Sequence, residues 1–327
     1  MIPSSSIFSL KPDGDFEKIA LEVFRFQSQH VRVYHDYIQQ LGVNPDAVAS
    51  TDEIPFLPIQ LFKTQDVIAE ACQPEATFTS SGTTGNEVSR HRVADLSLYR
   101  ESFTRTFSIF YGSPSDYCIL ALLPSYLERS GSSLVFMVDE LIRQTGNPDS
   151  GFYLNQLYAL TEKLSALDRS GQKTILIGVS FALLDLAERF TFNLQNTIIM
   201  ETGGMKGRRK EVVREELHST LCSAFGVNVI HSEYGMTELL SQAYSTGKGM
   251  FRCPPWMRVV IGSTDDPFCL VGDGRTGIIK IIDLANLYSC SFIQTQDMGK
   301  LHSDGSFEVL GRMDDAPIRG CNLLVYD

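Results

Sequence analysis

The chain has 327 residues, 43% apolar and 20% charged, the balance of an ordinary globular protein with room for one large domain or two smaller ones. A formal net charge of −11 excludes a broad nucleic-acid or anionic-membrane surface. No run of about 18 apolar residues offers a membrane span, and the first ten residues lack the basic flank and apolar stretch of a signal peptide, so a cytoplasmic protein is expected.

In chain order, Asp15 caps a predicted helix over 15–41, with Ile19, Val23, Phe26, Val33 and Tyr37 near one face. Asn44-Pro45 ends it, and Pro55 and Pro58 hold 54–62 extended. Asp95 caps a helix to about 109, with Tyr99, Phe103 and Phe107 at four-residue intervals. A strand over 117–123 stops at Pro124, and Ser132 or Ser133 caps a helix to about 142. The middle alternates: helix 151–167, strand 174–179, helix 181–190, strand 197–201, helix 208–225, strand 227–231. The last helix puts Val213, Leu217, Leu221 and Phe225 on one stripe. Such alternation implies a mostly parallel sheet flanked by helices, an α/β core. From about 257 short β-rich runs (258–262, 277–283, 305–310) separated by Asp273-Gly274 and Asp304-Gly305 turns read as a smaller antiparallel section. The expected division is therefore 1–256 and 257–327.

Four stretches can carry chemistry. Thr79-Ser80-Ser81-Gly82-Thr83-Thr84-Gly85 is a run of small residues that offers converging backbone N–H and hydroxyl donors to a polyphosphate, or else a plain flexible turn. It is not of the Walker type, because Asn86 and Glu87 follow where a lysine would stand. His231-Ser232-Glu233-Tyr234-Gly235-Met236-Thr237-Glu238 follows a predicted strand, where open α/β sheets bind ligands. There Glu238 is a hard oxygen donor for Mg²⁺ beside phosphates, Tyr234 offers a ring face and Thr237 a hydroxyl. Glu201-Thr202-Gly203-Gly204 leads into Lys206, Arg208, Arg209 and Lys210, cations at a predicted helix N-terminus that a bound anion would offset. Asp297 and Arg312 lie in the β-rich section, the first able to accept from ribose hydroxyls. A decoy, Gly178-Val179-Ser180-Phe181-Ala182, has the position of a hydrolase nucleophile elbow but ends in Ala rather than Gly. The seven cysteines, an odd number without a CxxC pair, form neither a disulfide frame nor a zinc site, and the six histidines show no metal spacing.

Taken in order, Ser80 to Gly85, Tyr234-Gly235-Met236-Thr237-Glu238, Asp297 and Gly311-Arg312-Met313-Asp314-Asp315 resemble the adenylate-forming superfamily of acyl- and aryl-CoA ligases, luciferases and adenylation domains. Within it, Ile54-Pro55-Phe56-Leu57-Pro58 before Phe62-Lys63, the run Leu123 to Arg129, and Arg319-Gly320-Cys321 resemble the LuxE-type acyl-protein synthetases. The resemblance implies the large N-terminal core of that fold, without the mobile C-terminal domain that brings a lysine to the reacting carboxylate in larger members. It implies ATP and Mg²⁺, with Ser80, Ser81, Gly82, Thr83, Thr84 and Gly85 on the β- and γ-phosphates. Thr237 would bind the α-phosphate, Glu238 would ligate the metal, Gly203, Gly204 and Tyr234 would line the adenine, and Gly235 would belong to the same nucleotide site. Asp297 would hold the ribose, assisted by Arg312. Arg90 and Arg92 are the cations nearest in sequence to the missing lysine.

The implied reaction activates a carboxylic acid, a fatty acid in that family, as acyl-AMP and passes the acyl group to a protein cysteine. The matching position is Cys321, beside Arg319, whose charge favours the thiolate. Two alternatives stay open: CoA or a carrier protein as acceptor, and a non-catalytic nucleotide-binding subunit. An acyl-CoA or fatty acid reductase is the partner the resemblance suggests. Which acid is used, and the oligomeric state, are not legible.

Overall fold

The computed structural model describes residues 2–11, 14–80, 88–124, 131–203, 213–266 and 268–313. The chain opens with α1 (Ser4–Phe8), α2 (Phe16–His30) and α3 (Arg32–Gln40), then β1 (Leu57–Pro58) and the one-turn α4 (Leu61–Thr64). A hairpin follows, β2 (Ala76–Thr79) and β3 (Arg90–Val93), and then α5 (Leu96–Tyr111), β4 (Cys118–Leu122), α6 (Ser133–Thr145) and β5 (Gly151–Phe152). The alternation continues through α7 (Leu157–Arg169), β6 (Thr174–Val179), α8 (Ser180–Arg189), β7 (Thr197–Thr202), α9 (Arg214–Phe225) and β8 (His231–Tyr234). The remaining elements are strands: β9 (Ala243–Ser245), β10 (Phe251–Arg252), β11 (Met257–Gly262), β12 (Thr276–Asp283), β13 (Phe292–Leu301) and β14 (Phe307–Arg312).

Among the described residues twelve strands share one sheet, in the order β11-β12-β13-β14-β10-β9-β8-β7-β6-β4-β5, with β1 beside β13. The run β5-β4-β6-β7-β8 is parallel, and the pairs from β8 to β11 are antiparallel. The expected mixture of a parallel core and an antiparallel section is therefore present, joined through β9 and β10. Every residue of β4 and β6 is buried, as a parallel strand covered on both faces requires.

Caps and stripes account for the helices. Asp95 accepts from the Ser97 N–H at 2.8 Å at the start of α5, and Tyr99, Phe103 and Phe107 are buried along it. Ser132 caps α6 through the Val135 N–H. Gly226 ends α9 at φ +68°, and a Cβ there would sit 2.7 Å from Asn193 Cα and Phe192 O, so only glycine suits the turn.

Some elements differ from the sequence expectation. The 15–41 helix breaks at Val31, which adopts φ −102° and ψ 97°. Its buried face runs through Val23, Phe24, Gln27, Tyr34 and Ile38, whereas Ile19, Phe26, Val33 and Tyr37 are half-buried. The reason is Gln27, a polar residue inside the apolar stripe. Its Nε2 donates to Asn286 O, Leu287 O and Ser291 Oγ, and its Oε1 accepts from the Ser291 N–H. Those bonds fasten α2 to the β12–β13 connection. The 54–62 stretch forms only β1 before turning into α4, and 151–167 begins as β5, with its helix starting at Leu157. Val213, expected on the α9 stripe, precedes the helix and is exposed. The strand expected over 227–231 lies at His231–Tyr234, since those polar residues continue the sheet beside β7 with Met200 opposite His231.

Candidate active site

The β2–β3 hairpin carries the glycine-rich run at its tip. Its ladder pairs Thr79 with Arg90, and one step further the Ser80 N–H donates to Ser89 O at 3.1 Å and the Ser89 N–H to Ser80 Oγ at 3.0 Å. Ser81, Gly82, Thr83, Thr84 and Gly85 lie outside the described residues, but both stems of their loop are fixed by these bonds. The Ser89 side chain lies close enough to the Glu238 carboxylate to pull its carboxyl down. Residues 149 positions apart in sequence thus meet at the base of the loop.

Glu238 sits in the turn after β8 and is 5% exposed. Burial pushes its carboxyl above the usual carboxylate range, against the pull of Ser89 and the positive charges of Arg312 and Lys63. The turn is held from behind. Asp283 accepts from the N–H groups of Leu240 and Ser241 at 2.8 and 2.9 Å and from Ser241 Oγ at 2.6 Å. Asn286 Nδ2 donates to Glu238 O at 2.7 Å, and the His91 Nδ1 lies 2.8 Å from Thr237 O. A carboxylate presented on a fixed backbone is what a metal-bearing phosphate site requires.

A second group forms alongside. Tyr234, the last residue of β8, donates its hydroxyl to Asp297 Oδ2 at 2.8 Å, while Arg312 Nε approaches Asp297 Oδ1 at 3.4 Å across the β13–β14 pair. The Tyr234 ring is 8% exposed and meets Phe251 and Phe307 edge-on, so the hydroxyl is its outward-working part. Each Asp297 oxygen retains a lone pair for a further donor. Gly203 turns the chain at the end of β7, at φ +61°, and Thr202 pairs with Glu233, so Gly203 and Tyr234 end neighbouring strands. Gly235 and Thr237 follow in the exposed and half-buried part of the same turn. Of the sequence candidates, Ser80, Gly203, Tyr234, Gly235, Thr237, Glu238, Asp297 and Arg312 are described; Gly204 and Cys321 lie outside the described residues. Arg312 joins the two groups, since its charge acts on Tyr234, Asp297 and Glu238.

No group of three or more His, Cys, Asp or Glu capable of holding a metal occurs among the described residues. Glu238 fits the other way of binding Mg²⁺, one or two carboxylates with substrate phosphates supplying the remaining oxygens. The hydrolase decoy has the wrong geometry. Ser180 starts α8, is 2% exposed and donates to Gly203 O at 2.6 Å and to Glu201 Oε2 at 3.1 Å, while His218 faces Glu201 rather than the serine. Arg92 is paired with Asp66 at 2.8 Å and Arg90 shares its face of β3, opposite to His91; Lys63 and Arg312 are the cations acting on Glu238. Ser89, His91, Asn286 and Lys63 are absent from the sequence candidates. The alternation Arg90-His91-Arg92-Val93 after a serine-rich loop was the available strand signal.

Asp297→Asn tests the second group. On the ribose-binding role the resemblance implies, it keeps the shape and removes the charge that two hydroxyls would share, and KM for ATP is expected to rise about tenfold with a smaller change in kcat, read from initial rates of ATP–pyrophosphate exchange.

A family model described as acyl-protein synthetase, LuxE, matches residues 11–327. No curated protein matches the chain. Among solved structures, the chain is similar to 2-hydroxyisobutyryl-CoA ligase in the postadenylation state in complex with R3-HIB-AMP, with a TM-score of 0.69 at 14% identity over 93% of this chain and 69% of that one. It is similar to ATP-bound MatB from Rhodopseudomonas palustris (0.55, 16%, 72% of this chain and 48% of that one). It is also similar to O-succinylbenzoate coenzyme A synthetase (MenE) from Bacillus subtilis in complex with ATP and magnesium ion (0.53, 19%, 76% and 53%). The chain thus spans about half the length of MatB and MenE, and the likeness shows that it has their fold.

Proposed function

Since the chain belongs to the LuxE acyl-protein synthetase family, we propose that it is an ATP-dependent acid–thiol ligase that activates a fatty acid as acyl-AMP and moves the acyl group to its own Cys321. The observation that carries this reading is the 2.8 Å contact of His91 Nδ1 with Thr237 O, which joins the stem of a phosphate-suited loop to the turn that bears the Glu238 carboxylate.

In the first half-reaction a carboxylate oxygen attacks the α-phosphorus of ATP, and the bond to the bridging oxygen breaks to release pyrophosphate. Negative charge grows on the phosphoryl oxygens, and donors already aimed there lower the barrier. The loop's N–H groups would take the β- and γ-phosphates and the Thr237 hydroxyl the α-phosphate. Asp297, oriented by Tyr234 and Arg312, would hold the ribose. Glu238 would hold Mg²⁺, which when bound offsets phosphate charge. Lys63 and Arg312 add fixed positive charge near Glu238. In the second half-reaction a thiolate attacks the acyl carbon, the bond to the phosphate oxygen breaks, and AMP leaves with the electron pair.

Five of the six described cysteines are tuned away from the thiolate an acceptor needs. Burial pushes Cys253 and Cys290 up to about 12 and raises Cys118 and Cys222, and a hydrogen bond to Asp266 raises Cys269. Cys72, half-buried, is the sixth. No described helix is long and apolar enough to cross a membrane; a cytoplasmic location, and docking to a fatty acid reductase, belong to the same proposal.

The test is ATP–pyrophosphate exchange with the full chain across acids of increasing length. Labelled pyrophosphate is expected in ATP only when an acid is added, with the highest kcat/KM for a long-chain acid. ATP binding without exchange for any acid would leave the chain a nucleotide-binding subunit and end the enzyme reading.

A further inference from the structure

We propose that His91 is a positioning residue for the magnesium site: its imidazole ties the strand leaving the glycine-rich loop to the Thr237–Glu238 peptide, and so sets the Glu238 carboxylate for the metal. The inference rests on the function proposed above and adds a residue on β3 to it.

Two bonds bracket Glu238. His91 Nδ1 lies 2.8 Å from Thr237 O, the carbonyl before it. Asn286 Nδ2 donates at 2.7 Å to Glu238 O, the carbonyl after it. Ser89, two residues from His91 on the same stem, lies beside the carboxylate. Both flanking carbonyls are thus held, one of them from the stem that carries the loop. A shift of the hairpin therefore moves Thr237 and the carboxylate together.

The ring is itself fixed. It is fully buried, its edge meets the Phe62 ring of α4 with centroids 5.7 Å apart, and its Nε2 lies 3.0 Å from Asn286 Oδ1. The Asn286 amide has one workable orientation, because its Nδ2 also donates to Cys290 O at 3.0 Å; turning it would point an oxygen at two carbonyls. Both ring nitrogens consequently face acceptors, an arrangement that favours a second proton, while burial works harder against it and pushes the ring down to about 4. We place the single proton of the neutral ring on Nδ1, toward the nearer acceptor, Thr237 O. With the ring gone, the Thr237 carbonyl loses its partner on the hairpin, and the turn before Glu238 is held only from the Asn286 side.

The experiment is Mn²⁺ binding to the full chain in the presence of a non-hydrolysable ATP analogue, followed by electron paramagnetic resonance, beside exchange kinetics and melting temperature. His91→Leu is expected to weaken Mn²⁺ binding about tenfold or more and to raise the half-saturating Mg²⁺ in exchange by a similar factor. His91→Gln, which still reaches Thr237 O with an N–H, is expected to stay within about threefold of the native chain. Should His91→Leu not fold, His91→Asn, too short to reach, takes its place against His91→Gln. Equal Mn²⁺ affinities in the native chain and in His91→Leu or His91→Asn, whatever the change in melting temperature, would overturn the inference and leave the proposed function standing. A native chain that binds neither Mn²⁺ nor the nucleotide would remove both.

Discussion

Glu238→Gln reduces acid-dependent ATP–pyrophosphate exchange at least about a hundredfold, the size of effect seen when one pre-aimed stabilising group is removed from a transition state. The amide keeps the volume but cannot hold a divalent cation as a carboxylate does. The fold is not expected to suffer. Burial penalises the ionised carboxylate, so a neutral isostere removes a cost.

The sign follows from the raised carboxyl. The folded chain binds the Glu238 proton more readily than the unfolded chain does. Without metal, that extra proton affinity favours folding fully only below the ordinary carboxylate value, and the benefit is lost as pH rises from there through the raised folded value. Thermal melts of the metal-free protein are therefore expected to show Glu238→Gln gaining on the native chain across that window. Protons also compete with Mg²⁺ for the same oxygens. The half-saturating Mg²⁺ in exchange is expected to rise as pH falls, with the acid limb above the usual carboxylate range. Exchange by Glu238→Gln at the native rate would reject this assignment.

Cys321→Ala is expected to separate the two half-reactions. Exchange continues within about twofold of the native rate, because the acyl-AMP forms before any thiol is needed, while thioester-linked label on the protein falls to background. The measurement is incubation with labelled fatty acid and ATP, denaturing separation, and release of the label by neutral hydroxylamine. The five described thiols whose proton is held more tightly than usual are expected to take none. Label that persists in Cys321→Ala would place the acceptor on another cysteine. Acyl-CoA formed in its place would move the chain to the CoA-dependent alternative.

What could be read in advance was whatever is written locally. Caps at Asp95 and Ser132, the Tyr99–Phe103–Phe107 stripe and the alternation of helix and strand through the middle depend on neighbours a few residues apart. The ordered motifs are local too: each small-residue or Tyr-Gly-Met-Thr-Glu run carries its chemistry in its own spacing. Errors arose where a polar residue sat in an apolar position. Gln27 turns the buried face of the first long helix away from the predicted one, and the polar strand His231–Tyr234 lies beyond the predicted 227–231.

By itself the sequence determined the α/β class, the order of the nucleotide-binding motifs and the residue types available to them. Only the tertiary structure decided that Ser89 meets Glu238, that Tyr234 turns its hydroxyl to Asp297, and that His91 and Asn286 grip the peptides around the carboxylate. These partners are 48 to 149 residues apart along the chain and are joined by single polar contacts. A hydrogen bond of that kind has no period and leaves no pattern; it exists only once the fold has brought the two polar atoms within about 3 Å.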